Sequence, residues 1–129
     1  MIVVDTNVIA YLLIRGDRSV AMDRLQAHDS EWIAPRLWLD EFLNVLSTYE
    51  RNGSLRADET IELLEDALAL MDGSSYEVPP ERVLAVARRT GCSGYDSQYV
   101  TLAEDLGVKL YTCDGGILKK CPGVAFLPE

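Results

Sequence analysis

Short runs of strand-forming residues alternate with longer stretches of helical periodicity along this chain, and that alternation leaves few folds open to it. Ile2-Val3-Val4 is an apolar, β-branched run closed by Asp5-Thr6-Asn7 and followed by Val8, Ile9, Tyr11, Leu12 and Leu13, which reads as strand, turn, helix. After a break at Arg15-Gly16-Asp17, Val20, Ala21, Met22 and Leu25 predict a helix from Ser19 to His28, and Trp32-Ile33-Ala34 predicts a second strand. Trp38, Phe42, Val45, Leu46 and Tyr49 recur with helical period between Arg36 and Arg51, and Asn52-Gly53 supplies the stop. Asp58 to Asp72 repeats the pattern with Ile61, Leu64, Leu68 and Met71 on one stripe, so the two helices are expected to form a hairpin.

The same reading carries to the end of the chain. Tyr76 to Val78 predicts a third strand, Pro79-Pro80 launches a helix to about Thr90, and a further helix runs from Gly94 to Leu106. Val108 to Cys113 is the fourth predicted strand; a short helical turn through Lys120 and a strand at Val124 to Leu127 follow. Strands alternating with helices predict a parallel sheet covered on both faces. The expected fold is therefore a three-layer α/β/α arrangement around a central, mainly parallel sheet of four to five strands. With 129 residues, 48% of them hydrophobic, and no internal repeat or linker, residues 1–129 are expected to form one domain.

Several function classes are disfavoured at once. No apolar run approaches the roughly 20 residues needed to span a bilayer, and Asp5 interrupts the start where a secretory signal would continue apolar. A cytoplasmic location is the expectation. Cys92, Cys113 and Cys121 are odd in number and lack paired zinc-site spacing, so they are expected to be buried, reduced thiols. His28, the sole histidine, precedes Asp29-Ser30 and reads as a surface residue. A formal charge of −9 has the wrong sign for binding nucleic acid through its backbone alone.

Chemistry in such a sheet sits beyond the carboxyl ends of the strands, and Asp5 and Asp114 each follow a predicted strand. Either alone could be a turn former or helix cap. Helical phase separates Asp40 from Glu41: Glu41 falls roughly 100° from the centre of its helix's apolar stripe and Asp40 roughly 160°. Glu41 is thus the better candidate, although a boundary glutamate can also simply cover apolar surface. Asp96 fits a Ser93-x-x-Asp96 capping box, yet it is placed only about 60° from the centre of a face defined by Tyr95, Tyr99, Ala103 and Leu106. Four converging carboxylates would need counter-charge, and hard oxygen ligands select Mg²⁺ or Mn²⁺, with phosphodiester hydrolysis as the natural chemistry.

The order of these segments resembles the PIN-domain ribonucleases, especially the VapC-like toxins of toxin–antitoxin pairs. The resemblance spans essentially the whole chain and is carried by Ile2-Val3-Val4-Asp5-Thr6-Asn7, Leu39-Asp40-Glu41-Phe42-Leu43-Asn44-Val45-Leu46, Gly94-Tyr95-Asp96-Ser97-Gln98-Tyr99 with Leu102-Ala103-Glu104, and Leu110-Tyr111-Thr112-Cys113-Asp114. It implies that Asp5, Glu41, Asp96 and Asp114 are catalytic, metal-binding carboxylates, supported by Thr6, Asn7 and Thr112. It implies one or two Mg²⁺ or Mn²⁺ ions, an RNA substrate, an antitoxin with a basic tail, and a homodimer. Gly116 departs from relatives that carry a further acidic group there, and Gly115-Gly116 is expected to loosen the loop holding Asp114. Arg15, Arg18, Arg36, Lys119 and Lys120 flank the acidic segments and are candidate phosphate contacts.

Two other function classes share features with this sequence. A phosphatase of the haloacid dehalogenase type also begins with an aspartate after its first strand, but it needs Asp-x-Asp where this chain has Asp5-Thr6-Asn7. A non-catalytic PIN-like interaction domain would keep the fold as a binding surface.

Overall fold

The chain's first strand becomes the middle of its sheet. A computed structural model describes residues 1–129, in which β1 (Ile2–Val4) leads through α1 (Thr6–Leu13) and α2 (Ser19–His28) to β2 (Trp32–Pro35). The hairpin α3 (Leu37–Arg51) and α4 (Ala57–Leu70) leads to β3 (Ser75–Tyr76). The chain then passes through α5 (Pro80–Thr90) and α6 (Gly94–Leu106) to β4 (Leu110–Tyr111), and through α7 (Gly115–Lys120) to β5 (Ala125–Phe126). The five strands lie in the order β3-β2-β1-β4-β5, and every pairing is parallel. Val3 is opposite Ile33 on one side and Leu110 on the other.

This order has a consequence for the layers. From β1 to β3 the chain moves steadily one way across the sheet; β4 then returns to the other side of β1, and β5 continues outward. Right-handed crossovers put α1 to α4 on one face and α5 to α7 on the other. The packing agrees: α1 lies against α2, α3 and α4, α5 lies against α6, and α6 covers β1, β2 and β4. Val3, Val4, Val8, Ile9, Phe42, Tyr99 and Leu110 are fully enclosed between the layers. Enclosing one such side chain is worth about 1.5–3 kcal/mol. No helix is long and apolar enough to cross a membrane.

The expected fold class holds, and the strand count reaches five. Local boundaries differ. β3 sits at Ser75–Tyr76 rather than Tyr76 to Val78, and β4 and β5 are two residues each. Ladder hydrogen bonds define a strand, and the apolar runs extend past the paired positions. On α4 the expected stripe is rotated: Thr60 and Ala67 are buried with Met71 just beyond the helix, whereas Ile61 is 55% and Leu68 45% exposed. On α6, Tyr99 and Ala103 are buried as expected, but Tyr95 is 65% and Leu106 44% exposed. Both outliers lie near the ends of the helix. Cys92 and Cys121 are buried with their Sγ atoms 3.7 Å apart, while Cys113 is only half-buried, against the expectation for all three.

Candidate active site

The switch in winding direction opens a crevice at the carboxyl ends of β1 and β4, the place where open α/β sheets accept ligands. Asp5 leaves β1 directly into that crevice. It is the N-cap of α1, its Oδ1 accepting from the Thr6 backbone N–H at 2.8 Å. Its Oδ2 accepts from Thr112 Oγ1 at 2.7 Å and from Asn7 Nδ2 at 3.2 Å. The carboxyl is only 7% exposed. Burial pushes its pKa up to about 6 against the lowering pull of the Thr112 and Thr6 hydrogen bonds, and the charges of Glu41 and Asp96 push the same way as burial.

Thr112 ties the two strand ends together. Buried at the exit of β4, it donates to Asp5 and accepts from the Asp114 backbone N–H at 3.0 Å. Asn7 bridges in parallel, accepting from the Cys113 backbone N–H at 3.1 Å. The loop after β4 is therefore held to the start of α1 by two side chains. Asp114 itself caps α7, its Oδ1 accepting from the Ile117 backbone N–H at 3.0 Å. Gly115 and Gly116 form the first turn of α7 rather than a loose loop, which corrects the expectation from their composition.

Glu41 reaches the same crevice from α3, and two hydroxyls meet it there. Tyr99 Oη lies 2.6 Å and Thr6 Oγ1 3.2 Å from Glu41 Oε1, with the two hydroxyls 2.7 Å apart. Two hydroxyl protons cannot serve three contacts, so the shorter pair takes them: Tyr99 donates to Glu41, and Thr6 donates to the Tyr99 oxygen. Tyr99 is fully buried. Burial and the bond to Glu41 raise its pKa, which keeps the phenol a donor.

Asp96 completes the set from the first turn of α6. Ser93 Oγ accepts from the Asp96 backbone N–H at 3.0 Å, but the reciprocal half of a capping box is not formed. The Asp96 carboxylate is thereby left for the crevice. Burial raises its pKa, as do the neighbouring Asp114 and Glu41, while Lys120 opposes them. Asp5, Glu41, Asp96 and Asp114 all line one cavity of about 560 Å³ together with Thr6 and Asn7.

The donor set of this cavity is oxygen and amide only, with no thiol or imidazole among its lining residues. That chemistry suits Mg²⁺ or Mn²⁺. No three of the acidic side chains close to ion-holding distance of a common point. They stand around an open cavity, an arrangement that fits a cation retaining several of its waters.

Sequence reasoning did not assign Leu37, Asp40, Asn44, Val45, Tyr95 or Tyr99 to the site. Asp40 is exposed as expected but still borders the cavity, and Asn44 and Tyr95 border it too. Asn44 lies three residues from Glu41, on the same side of the helix, and that spacing was a usable signal. Helical phase puts Tyr99 in the core, where a buried hydroxyl needs a partner. The candidate phosphate contacts are not gathered: none of the five basic side chains lines the cavity. Arg15 pairs with Asp23 at 2.7 Å, Arg36 with Glu77 at 3.0 Å, Arg18 covers the Tyr11 ring, and Lys120 donates to the Gly91 carbonyl.

Comparison with known proteins places these features. The PIN domain family model matches residues 2–122. Over 126 residues the chain is 32% identical to Ribonuclease VapC3 of Pyrobaculum aerophilum, a match covering 95% of this chain and 96% of that protein. The crystal structure of PAE2754 from Pyrobaculum aerophilum superposes with a TM-score of 0.73 at 28% identity, over 95% of this chain and 87% of that one. FitAcB from Neisseria gonorrhoeae gives a TM-score of 0.73 at 18% identity, over 99% and 98% respectively, a likeness of fold.

Proposed function

This chain belongs to the PIN-domain family, and from that premise we propose that it is a Mg²⁺- or Mn²⁺-dependent ribonuclease, the toxin of a toxin–antitoxin pair. One observation carries the reading: Asp5, Glu41, Asp96 and Asp114, drawn from four separate segments, line a single cavity at the switch point of the sheet. The similarity to Ribonuclease VapC3 supports RNA as the substrate class.

In this reading Asp5, Glu41, Asp96 and Asp114 are the residues that would hold the cation, in part through its waters, and the chemistry it would supply is counter-charge for a phosphate and activation of water. Thr112, Asn7 and the Thr6 backbone hold the Asp5 carboxylate in one orientation. Tyr99 does the same for Glu41, and Thr6 in turn holds the Tyr99 hydroxyl. Such fixed oxygens need no rearrangement when charge develops on the reacting phosphate. No side-chain nucleophile is required.

The surplus of negative charge supports an antitoxin with a basic tail, which would approach the acidic cavity favourably. Exposed Ile61 and Leu68 on α4 support a protein contact there, and a homodimer is part of the proposal.

The test is hydrolysis of mixed RNA by the purified protein in Mg²⁺, Mn²⁺ or EDTA, beside Asp5→Asn and Asp96→Asn. Cleavage is expected in either metal and is expected to vanish in EDTA and in both variants. Metal-independent cleavage, or undiminished cleavage by both variants, would overturn the mechanism.

A further inference from the structure

The carboxylate cavity has an apolar side that metal binding does not use. Tyr95 lines it from the first turn of α6 and is 65% exposed, the most exposed aromatic ring among the large hydrophobic residues open to solvent. Leu37 and Val45, both half-buried, line the same cavity from α3. The residue next to Tyr95 is Asp96, so an aromatic face stands directly beside the proposed metal-binding carboxylates.

The cavity also lacks the usual source of affinity for a polyanion. No Lys or Arg lines it, and Arg15, Arg36, Arg82 and Arg89 are each engaged by an acidic partner. Lys120 acts on Asp96 from outside the lining, so a strand that reaches the carboxylates meets few cations at the walls. Stacking of a base on an aromatic ring is independent of charge and tolerant of sequence.

We propose that Tyr95 is a stacking platform for an unpaired nucleobase flanking the scissile phosphate, with Leu37 and Val45 as further apolar surface of the same cavity. The inference rests on the ribonuclease reading above. A base inside a duplex has both faces covered by its neighbours, so only an unstacked nucleotide can present a face to Tyr95. The platform positions substrate and takes no part in proton transfer.

The test is fluorescence anisotropy in Mg²⁺ with a 2′-O-methyl oligoribonucleotide shown by gel to stay intact through the measurement, single-stranded or annealed to its complement. It compares the wild type with Tyr95→Phe, Tyr95→Ala and Tyr95→Ser, after thermal melting has verified that each variant is folded. Tyr95→Phe keeps the ring and is expected to bind the single strand like the wild type. Loss of the ring in Tyr95→Ala and Tyr95→Ser is expected to weaken binding about ten-fold, and the duplex is expected to bind poorly throughout.

Equal affinity of the alanine variant and the wild type overturns the proposal. So does a loss in Tyr95→Phe as large as in Tyr95→Ala, because the hydroxyl would then be the contact, and so does equal affinity for duplex and single strand. A Tyr95→Ala variant that keeps its RNA affinity but loses a basic partner protein would assign the ring to a protein contact instead. The two readings separate cleanly. Ring-dependent RNA binding without cleavage removes the ribonuclease reading and leaves the platform; cleavage with ring-independent binding does the reverse.

Discussion

Asp5 is where burial and function pull against each other. Its folded pKa of about 6 lies above the ordinary 3.8, so the native state holds this proton more tightly than the unfolded chain does. The stability linked to that proton is fully present below about pH 4 and is lost as pH rises through about 6, a total of about 3 kcal/mol. In EDTA, the stability of Asp5→Asn relative to the wild type should therefore improve by about 2 kcal/mol between pH 4.5 and 7.5, measured by urea unfolding. A difference that does not change with pH would contradict this account of Asp5. Added Mg²⁺ should raise the melting temperature more at pH 7.5 than at pH 5, because cation and proton compete for the same carboxylate. Tyr99 allows a separate test. Tyr99→Phe removes the short donor to Glu41 Oε1 and should cost about 1–2 kcal/mol of stability; an unchanged urea midpoint would show that the hydroxyl contributes nothing. Asp5 and Asp114 were legible in the sequence because each follows an apolar strand run. The role of Tyr99 was not, since its bond to Glu41 joins residues 58 positions apart and no local pattern encodes such a pairing.

At the level of elements, α7 is short but tightly specified. Its N-cap Asp114 bonds to Ile117 N–H, and its two glycines differ sharply in their surroundings. A Cβ at Gly116 would lie 3.0 Å from Asp114 Oδ1, whereas one at Gly115 would meet nothing within 4 Å. Gly115→Ala should thus stabilise the protein by up to about 1 kcal/mol through helix propensity. Gly116→Ala should crowd the Asp114 carboxylate and lower RNA cleavage several-fold; equal activity of the two alanine variants would refute that distinction. The bounds of α2 and α6 were legible, as was the end of α5 at Gly91, which adopts the left-handed conformation with φ 77°. The rotation of the α4 stripe was not. Its periodicity gave several equivalent apolar faces, and only packing against neighbouring helices chose among Ile61, Leu64 and Leu68.

At the scale of the molecule, the charge of −9 and the absence of cationic side chains from the cavity wall set the character of RNA binding. Affinity for single-stranded RNA at fixed Mg²⁺ should fall only gently with added KCl, with a log–log slope shallower than about −2, since each neutralised phosphate contributes about −0.7. A slope of about −5 would reveal phosphate contacts from basic side chains outside the cavity lining. The parallel architecture was legible because strand and helix periods alternate; the strand order was not, since nothing local says that β4 returns to the far side of β1. That return has a consequence in time as well as space. The bond from Thr112 to Asp5 closes across 107 positions, so at about 5–20 residues per second a ribosome needs roughly 5–20 s after making Asp5 to supply the partner that orients it. A nascent chain stalled before Thr112 would be an incomplete nuclease, and so the cell's exposure to this activity begins only after Thr112 has been made and has folded back onto Asp5.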